Sequence, residues 1–288
     1  MYRKEGFLTI QPDSAGLEAD TALEAHGDGR YTACLSDDWE TFGPCGGYLA
    51  AIALRAAGEE AKRPRPVSIS CTFLRSGQFG MTDLIVRPLV VSQRTTALEV
   101  EMRQGDVLLM KATVWCADSG LSGLDHDASK VPESDPPESL PELDSLIPPD
   151  KARPFPKFRS RIEERTMTYD FDSFRRPHGE PRILSWFRFR PGRPSTNPYV
   201  DGARSLLLID TTQFPASGAA YKEFLPYVAK SLDLTVHFHN FAPENEWLLC
   251  EATAPYAREG ILNGRSRVWD QNGLLLASGG QQMICRRR

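Results

Sequence analysis

The sequence is short of several features, and each shortage closes a class of function. No apolar run approaches the ~20 residues that a membrane-crossing helix needs. The opening residues, Met1-Tyr2-Arg3-Lys4-Glu5-Gly6, lead into no sustained apolar stretch, so no signal peptide is expected. Basic residues are outnumbered: 34 Lys and Arg face 38 Asp and Glu, a net charge of −4, where a nucleic-acid binder would carry a basic stripe. The six cysteines (Cys34, Cys45, Cys71, Cys116, Cys250, Cys285) include no Cys-x-x-Cys pair. Scattered thiols in a chain without a secretion signal read as reduced core residues, and the cytoplasm is the expected compartment. No Gly-x-Ser-x-Gly elbow is present, which disfavours an α/β-hydrolase. His237 and His239 point the same way if extended, but two ligands are too few and no third group stands at a supporting spacing, so no metal is expected.

What is present is an ordinary globular composition, 41% hydrophobic and 25% charged, over a length of 288 residues that suits two domains or one large one. The chain is organised around Phe42-Gly43-Pro44-Cys45-Gly46-Gly47-Tyr48 and the alanine-rich run that follows to Ala57. From Leu49 to Leu54 no polar side chain interrupts, so this helix must be enclosed on every side. It is far too short to span a bilayer, which makes it a core helix. The glycines leave backbone N–H groups uncovered at its positive N-terminal end, where an anion or a developing oxyanion can bind. A tight turn feeding a buried helix explains the same residues.

Strand patterns follow. Val67 to Leu74 and Thr95 to Arg103 alternate, Leu84 to Val91 is β-branched, Gln104-Gly105-Asp106 reads as a hairpin turn, and Val107 to Trp115 completes the pair. From Ser119 to about Ser160 prolines (Pro132, Pro136, Pro137, Pro141, Pro148, Pro149, Pro154, Pro156) crowd with acids, the composition of a linker. Then the first pattern returns. Arg161 to Tyr169 and Ile183 to Arg190 are strand-like, and Asn197-Pro198 looks like a cap and first residue of a helix carrying Leu206 to Ile209. Ser231 to His239, Glu246 to Ala254, Asn263 to Trp269 and Leu274 to Ile284 are strands. Cys71-Thr72-Phe73-Leu74-Arg75 matches Val236-His237-Phe238-His239-Asn240, and Gln104-Gly105-Asp106 matches Gln271-Asn272-Gly273. The expectation is an internally duplicated α+β protein: residues 1–118, a linker at 119–160, and residues 161–288.

On these residues the chain resembles the double-hotdog acyl-CoA thioesterases of the thioesterase II type. The resemblance rests on Phe42 to Gly47 with its helix, on Ser231 to His239, on Asn245-Glu246-Trp247-Leu248-Leu249, and on Asp270 to Gln281. It implies two antiparallel sheets, each wrapped around a central helix and packed as a pseudo-dimer. It implies hydrolysis of an acyl-CoA thioester by an activated water, without a cofactor, in a homo-oligomer (a dimer of double hotdogs). The family's acid, hydroxyl and glutamine fall on Asp210, Ser231 and Gln281, the hydroxyl being usually threonine there. Gly46 and Gly47 would offer backbone N–H groups to the carbonyl.

The residues alone support this chemistry without compelling it. Asp210 follows four aliphatic residues, and an acid set among leucines is desolvated and its pKa raised, as suits a general base. It is equally placed to face solvent at a turn before Pro215. Asp233 is the rival acid, on one alternating row with Ser231, Thr235, His237 and His239, a row that is either a polar site face or the outer face of a sheet. Gln281 can donate to and accept from a water, or be a polar strand end. Two other functions stay open: a hotdog enoyl-CoA hydratase, which pairs Asp with His although no His lies between Asn197 and Ser231, and a non-catalytic acyl-thioester binder.

Overall fold

The computed structural model describes residues 16–147, 156–167, 178–192, 195–222 and 226–287. The opening residues 1–15, part of the expected linker (148–155), the end of the strand-like run at 168–169 and residues 193–194 lie outside that set. Helix α1 (Leu17–Asp20) and strand β1 (Glu24–Gly27) lead into β2 (Arg30–Leu35), then α2 (Gly46–Ala61), β3 (Arg65–Phe73), β4 (Gly80–Val91), β5 (Thr95–Gln104) and β6 (Val107–Ala117). The second half comprises β7 (Ile162–Thr166), β8 (Arg182–Phe189), α3 (Pro198–Ser217), β9 (Tyr227–Ser231), β10 (Asp233–Phe238), β11 (Trp247–Arg258), β12 (Ile261–Trp269) and β13 (Leu275–Arg287).

The strands lie in the order β1-β2-β4-β5-β6-β3-β10-β13-β12-β11-β8-β7, with β9 also paired to β13. The two expected half-sheets are therefore hydrogen-bonded to one another along an edge. Strand β3 runs antiparallel to β10 with Ile69 opposite Val236 and Cys71 opposite Leu234. This join removes two open edges that would otherwise invite pairing with another chain.

Each half-sheet covers one helix. In α2, Tyr48 to Leu54 are all at most 3% exposed, as an all-apolar run requires. Tyr48 stacks on Trp39 at 5.5 Å. Asn197 caps α3 by accepting from the Tyr199 N–H at 2.9 Å, with Pro198 as the first helical residue. The helix does not stop before Pro215. It runs on to Ser217, so Asp210 lies about two turns from its end and is not a solvent-facing terminal residue. Pro215 gives up the bond to the Thr211 carbonyl and crowds it, and only two helical residues follow.

The helices cross antiparallel at two glycine contacts. A methyl on Gly47 would sit 2.9 Å from the Asp210 Cβ, and one on Gly58 would sit 2.6 Å from the Tyr199 ring. Close helix approach at both points needs glycine, since carbon atoms pack at ~3.5–4 Å.

One local irregularity decides the site. Ser231 stands opposite Met283, but Thr235 stands opposite Gly280, so four steps along one strand match three along its partner. The extra residue is a bulge around Leu232 between β9 and β10. The expected single row of Ser231, Asp233, Thr235 and His237 is thereby broken. Leu234, Val236 and Phe238 face the core, and Asp233, Thr235 and His237 face outward. Ser231, before the bulge, turns inward with Met283.

Candidate active site

Asp210 is 6% exposed, on α3 where that helix meets the start of α2. Three donors hold its carboxylate. The Gly47 N–H reaches Oδ2 at 2.7 Å, the Cys45 thiol reaches Oδ2 at 3.3 Å, and the Ser231 hydroxyl reaches Oδ1 at 3.0 Å. They come from the first half, the first half and the bulge, so residues far apart in sequence converge on one carboxylate. Burial pushes the Asp210 carboxyl above the usual carboxylate range, against the opposing pull of the Gly47, Cys45 and Ser231 hydrogen bonds. Burial, then the neighbouring Asp210 charge, pushes the Cys45 thiol well up, so it stands as a neutral S–H donor.

Gln281 is 2% exposed on the inner face of β13. Its Nε2 donates to the backbone carbonyl of Asp210 at 2.6 Å, while its Oε1 has no partner among the described residues. It therefore touches the helix at Asp210 without touching the carboxylate. Gly264 stands opposite Gln281, and its missing side chain leaves room for Gln213.

The carboxylate opens on a cavity of about 710 Å³ between the halves. Asp210, Ser231, Cys45 and Gly46 line it, and its walls include Leu49, Phe73, Ile183, Phe187, Phe214 and Met283. Arg75, Lys230 and Arg286 are exposed at its rim, Lys230 donating to the Ser76 hydroxyl at 3.1 Å. The two glycines expected to act alike are unequal. The Gly47 N–H is taken up by Asp210, whereas Gly46 lies on the cavity wall and its N–H has no partner among the described residues.

The structure brings Asp210, Ser231, Gly46, Gly47 and Gln281 together and leaves Asp233 out. Asp233 accepts from the Gln282 N–H at 2.8 Å on the outer face, and His239 bonds Ser278 at 2.9 Å nearby. Among the described residues no group of three or more His, Cys, Asp or Glu is placed to hold a metal ion. Sequence reasoning missed Cys45, which it grouped with the core thiols. Its place as the residue before the first helical glycine was the available signal.

A large antiparallel sheet folded over two crossed helices, with a buried acid facing an apolar cavity, defines a hotdog-type site for an acyl group. The profile of the acyl-CoA thioesterase C-terminal domain matches residues 133–285, and that of the acyl-CoA thioesterase N-terminal domain matches residues 35–117. The chain belongs to this acyl-CoA thioesterase family, a family of thioester hydrolases. Solved structures agree on the fold. The TesB protein of Mycobacterium avium subs. paratuberculosis is 22% identical with a TM-score of 0.76, covering 94% of this chain and 98% of its own. The acyl-CoA thioesterase II TesB2 of Mycobacterium marinum is 20% identical, also with a TM-score of 0.76 and the same coverage. A hot dog fold protein from Alicyclobacillus acidocaldarius reaches 0.78 at 22% identity, again over 94% and 98%. No curated protein matches the chain. No helix among the described residues is long and apolar enough to cross a membrane.

Proposed function

We propose that the chain hydrolyses acyl-CoA thioesters with Asp210 as general base. The observation that carries this is a single buried carboxylate, held by Ser231, Gly47 and Cys45, on the wall of an apolar cavity. Water attacks the thioester carbon and Asp210 takes its proton. Ser231, on the cavity wall, fixes the water, and Gln281, which does not line the cavity, acts from behind by fixing the helix backbone at Asp210. The Gly46 N–H at the positive end of α2 meets the oxyanion, while Gly47 serves the base instead. Collapse breaks the C–S bond, and the proton on Asp210 passes to the departing sulfur, leaving a free acid and CoA thiol.

Arg75, Lys230 and Arg286 at the rim suit the phosphates of the nucleotide end, and the apolar wall suits the acyl chain. The same reading places the enzyme in the cytoplasm, in fatty-acid or lipid metabolism, as a dimer of double hotdogs. Its units are residues 1–118 and 161–288, joined by the linker 119–160. Asp210→Asn, assayed for thiol release over short, medium, long and branched acyl-CoAs, loses about 10³-fold or more in kcat with a native circular-dichroism spectrum. Full retained rate with normal folding refutes the assignment of the base. Acyl-CoA binding by the natural chain without any thiol release identifies a non-catalytic binder.

A further inference from the structure

Besides the exposed Phe42, four phenylalanines line the cavity beside Asp210: Phe73, Phe158, Phe187 and Phe214. They come from four separate segments, the end of β3, the turn before β7, β8 and α3. Buried rings commonly pair at centroid separations of about 4.5–7 Å. Elsewhere in this protein they do so: Tyr48 stacks on Trp39, and Trp39 meets Phe189 at 6.4 Å. None of the four cavity rings pairs with another ring among the described residues. They face one space and stand apart around it.

Two of these rings sit at the reacting end. Phe214 follows Asp210 by four residues on α3, one turn on and on the same face. Phe73 ends β3 on the inner face, in step with Cys71. A methyl on Gly46 would lie 3.3 Å from the Phe73 Cζ and 3.4 Å from the Asp210 Oδ1. The Phe73 ring edge, the Gly46 backbone and the carboxylate therefore share one corner of the cavity.

That placement favours one kind of acyl group. A straight alkyl chain packs on leucine or isoleucine as well as on phenylalanine, since dispersion needs no particular partner. A flat ring gains more from other rings, because the negative face of one attracts the positive edge of the next. The nearby hydroxyls ask for no polar substituent. Thr211 and Thr212 donate to the α3 carbonyls of Leu207 and Leu208 at 2.7 and 2.6 Å.

We propose that Phe73 and Phe214 bracket an aromatic ring carried close to the thioester carbonyl, making the preferred substrate an arylalkanoyl thioester. This rests on the thioesterase reading of Asp210 and adds the substrate class.

The test uses CoA thioesters matched in size and differing in aromaticity. Phenylacetyl is set against cyclohexylacetyl, and 3-phenylpropanoyl against 3-cyclohexylpropanoyl, with octanoyl as the straight-chain reference. The natural enzyme should hydrolyse at least one phenyl ester with a kcat/KM about tenfold above its cyclohexyl partner, the size expected of two ring contacts, and above octanoyl. In Phe73→Leu/Phe214→Leu the phenyl-to-cyclohexyl ratio should fall to about one. Rings that only pack the wall would slow all esters together, so an unchanged ratio in the variant overturns their assignment. Ratios below about threefold for both pairs in the natural enzyme, or an octanoyl ester that outruns both phenyl esters, overturn the proposal while the thioesterase reading stands. If no thioester is cleaved at all, binding of free 3-phenylpropanoate and 3-cyclohexylpropanoate to the Asp210→Asn protein decides. About tenfold tighter binding of the aromatic acid supports the bracket, and equal binding overturns it.

Discussion

Substituting Gly47 by alanine places a methyl 2.9 Å from the Asp210 Cβ and 3.1 Å from its Oδ2. Ordinary carbon contact is ~3.5–4 Å, so α2 and α3 must part by roughly 0.6–1 Å or Asp210 must rotate away. Either movement stretches the 2.7 Å bond from the Gly47 N–H to Oδ2 toward or beyond the range of a hydrogen bond. Overpacking a core contact costs about 1–3 kcal/mol, and alanine's better helix propensity returns up to about 1 kcal/mol. Net destabilisation of about 0–3 kcal/mol follows. Catalysis suffers more, because a displacement near 1 Å of a reacting group costs about 10²-fold. Gly58→Ala is the control. It crowds the Tyr199 ring at 2.6 Å in the same helix pair, at the opposite end from the carboxylate. Urea unfolding and thiol release on both variants should show Gly47→Ala losing activity far beyond its stability loss, and Gly58→Ala losing stability with kcat per folded molecule retained. If Gly47→Ala keeps its rate within about threefold, the contact does not position the base.

The pH profile should rise as Asp210 ionises, with its midpoint above the ordinary value of 3.8 because burial raises the carboxyl pKa. Since the raised group binds its proton more tightly in the folded state, its contribution to stability falls as pH rises through that midpoint, so Asp210→Asn should raise the neutral-pH melting temperature. Removing the thiol donor in Cys45→Ala should move the acidic limb to higher pH, and the stronger donor in Cys45→Ser should move it lower. An unmoved limb in both would show that Cys45 only packs. On the outer face, burial opposes the charge of Glu163, but bonds from Arg165, Arg188 and Arg190 overcome it and hold the group down at about 2. Its stabilisation is complete above 4.5 and lost as pH falls through about 2. Glu163→Ala should cost about 2 kcal/mol in urea melts at neutral pH, below the usual figure for a buried pair because the arginines are partly exposed.

The two long helices and most strands were legible because their signals are local, whereas the short α1 was not expected. The unbroken apolar run of α2 admits only a buried helix, and Asn197-Pro198 marks the start of α3 directly. What was not legible depends on contacts between distant segments. Pro215 reads as a stop signal, yet Phe214 and Ala216 on either side of it pack against Ile183, Leu262 and Met283 from distant strands, and the helix runs past it. The bulge at Leu232 leaves the apolar-polar alternation looking intact, so Ser231 and Asp233 seem to share a face when the backbone separates them. Cys45 and Asp210 lie 165 residues apart, and only the crossing of the helices brings thiol to carboxylate. The edge join of β3 and β10 is likewise invisible to any reading of one half at a time.

With Asp210 as the proposed base, the paired glycine contacts between the helices also bear on the working stoichiometry. Gly46 and Pro198 open their helices, and Gly58 follows Gly47 by eleven residues just as Asp210 follows Tyr199. Exchanging the two halves by their pseudo-twofold relation therefore carries Gly47 onto Tyr199 and Asp210 onto Gly58. A symmetric dimer of single units would own two equivalent reaction centres. Here the mirror position has no carboxylate, and a tyrosine ring fills the space where the second base would act. An active-site titration accordingly has one equivalent per polypeptide as its ceiling, however many chains assemble.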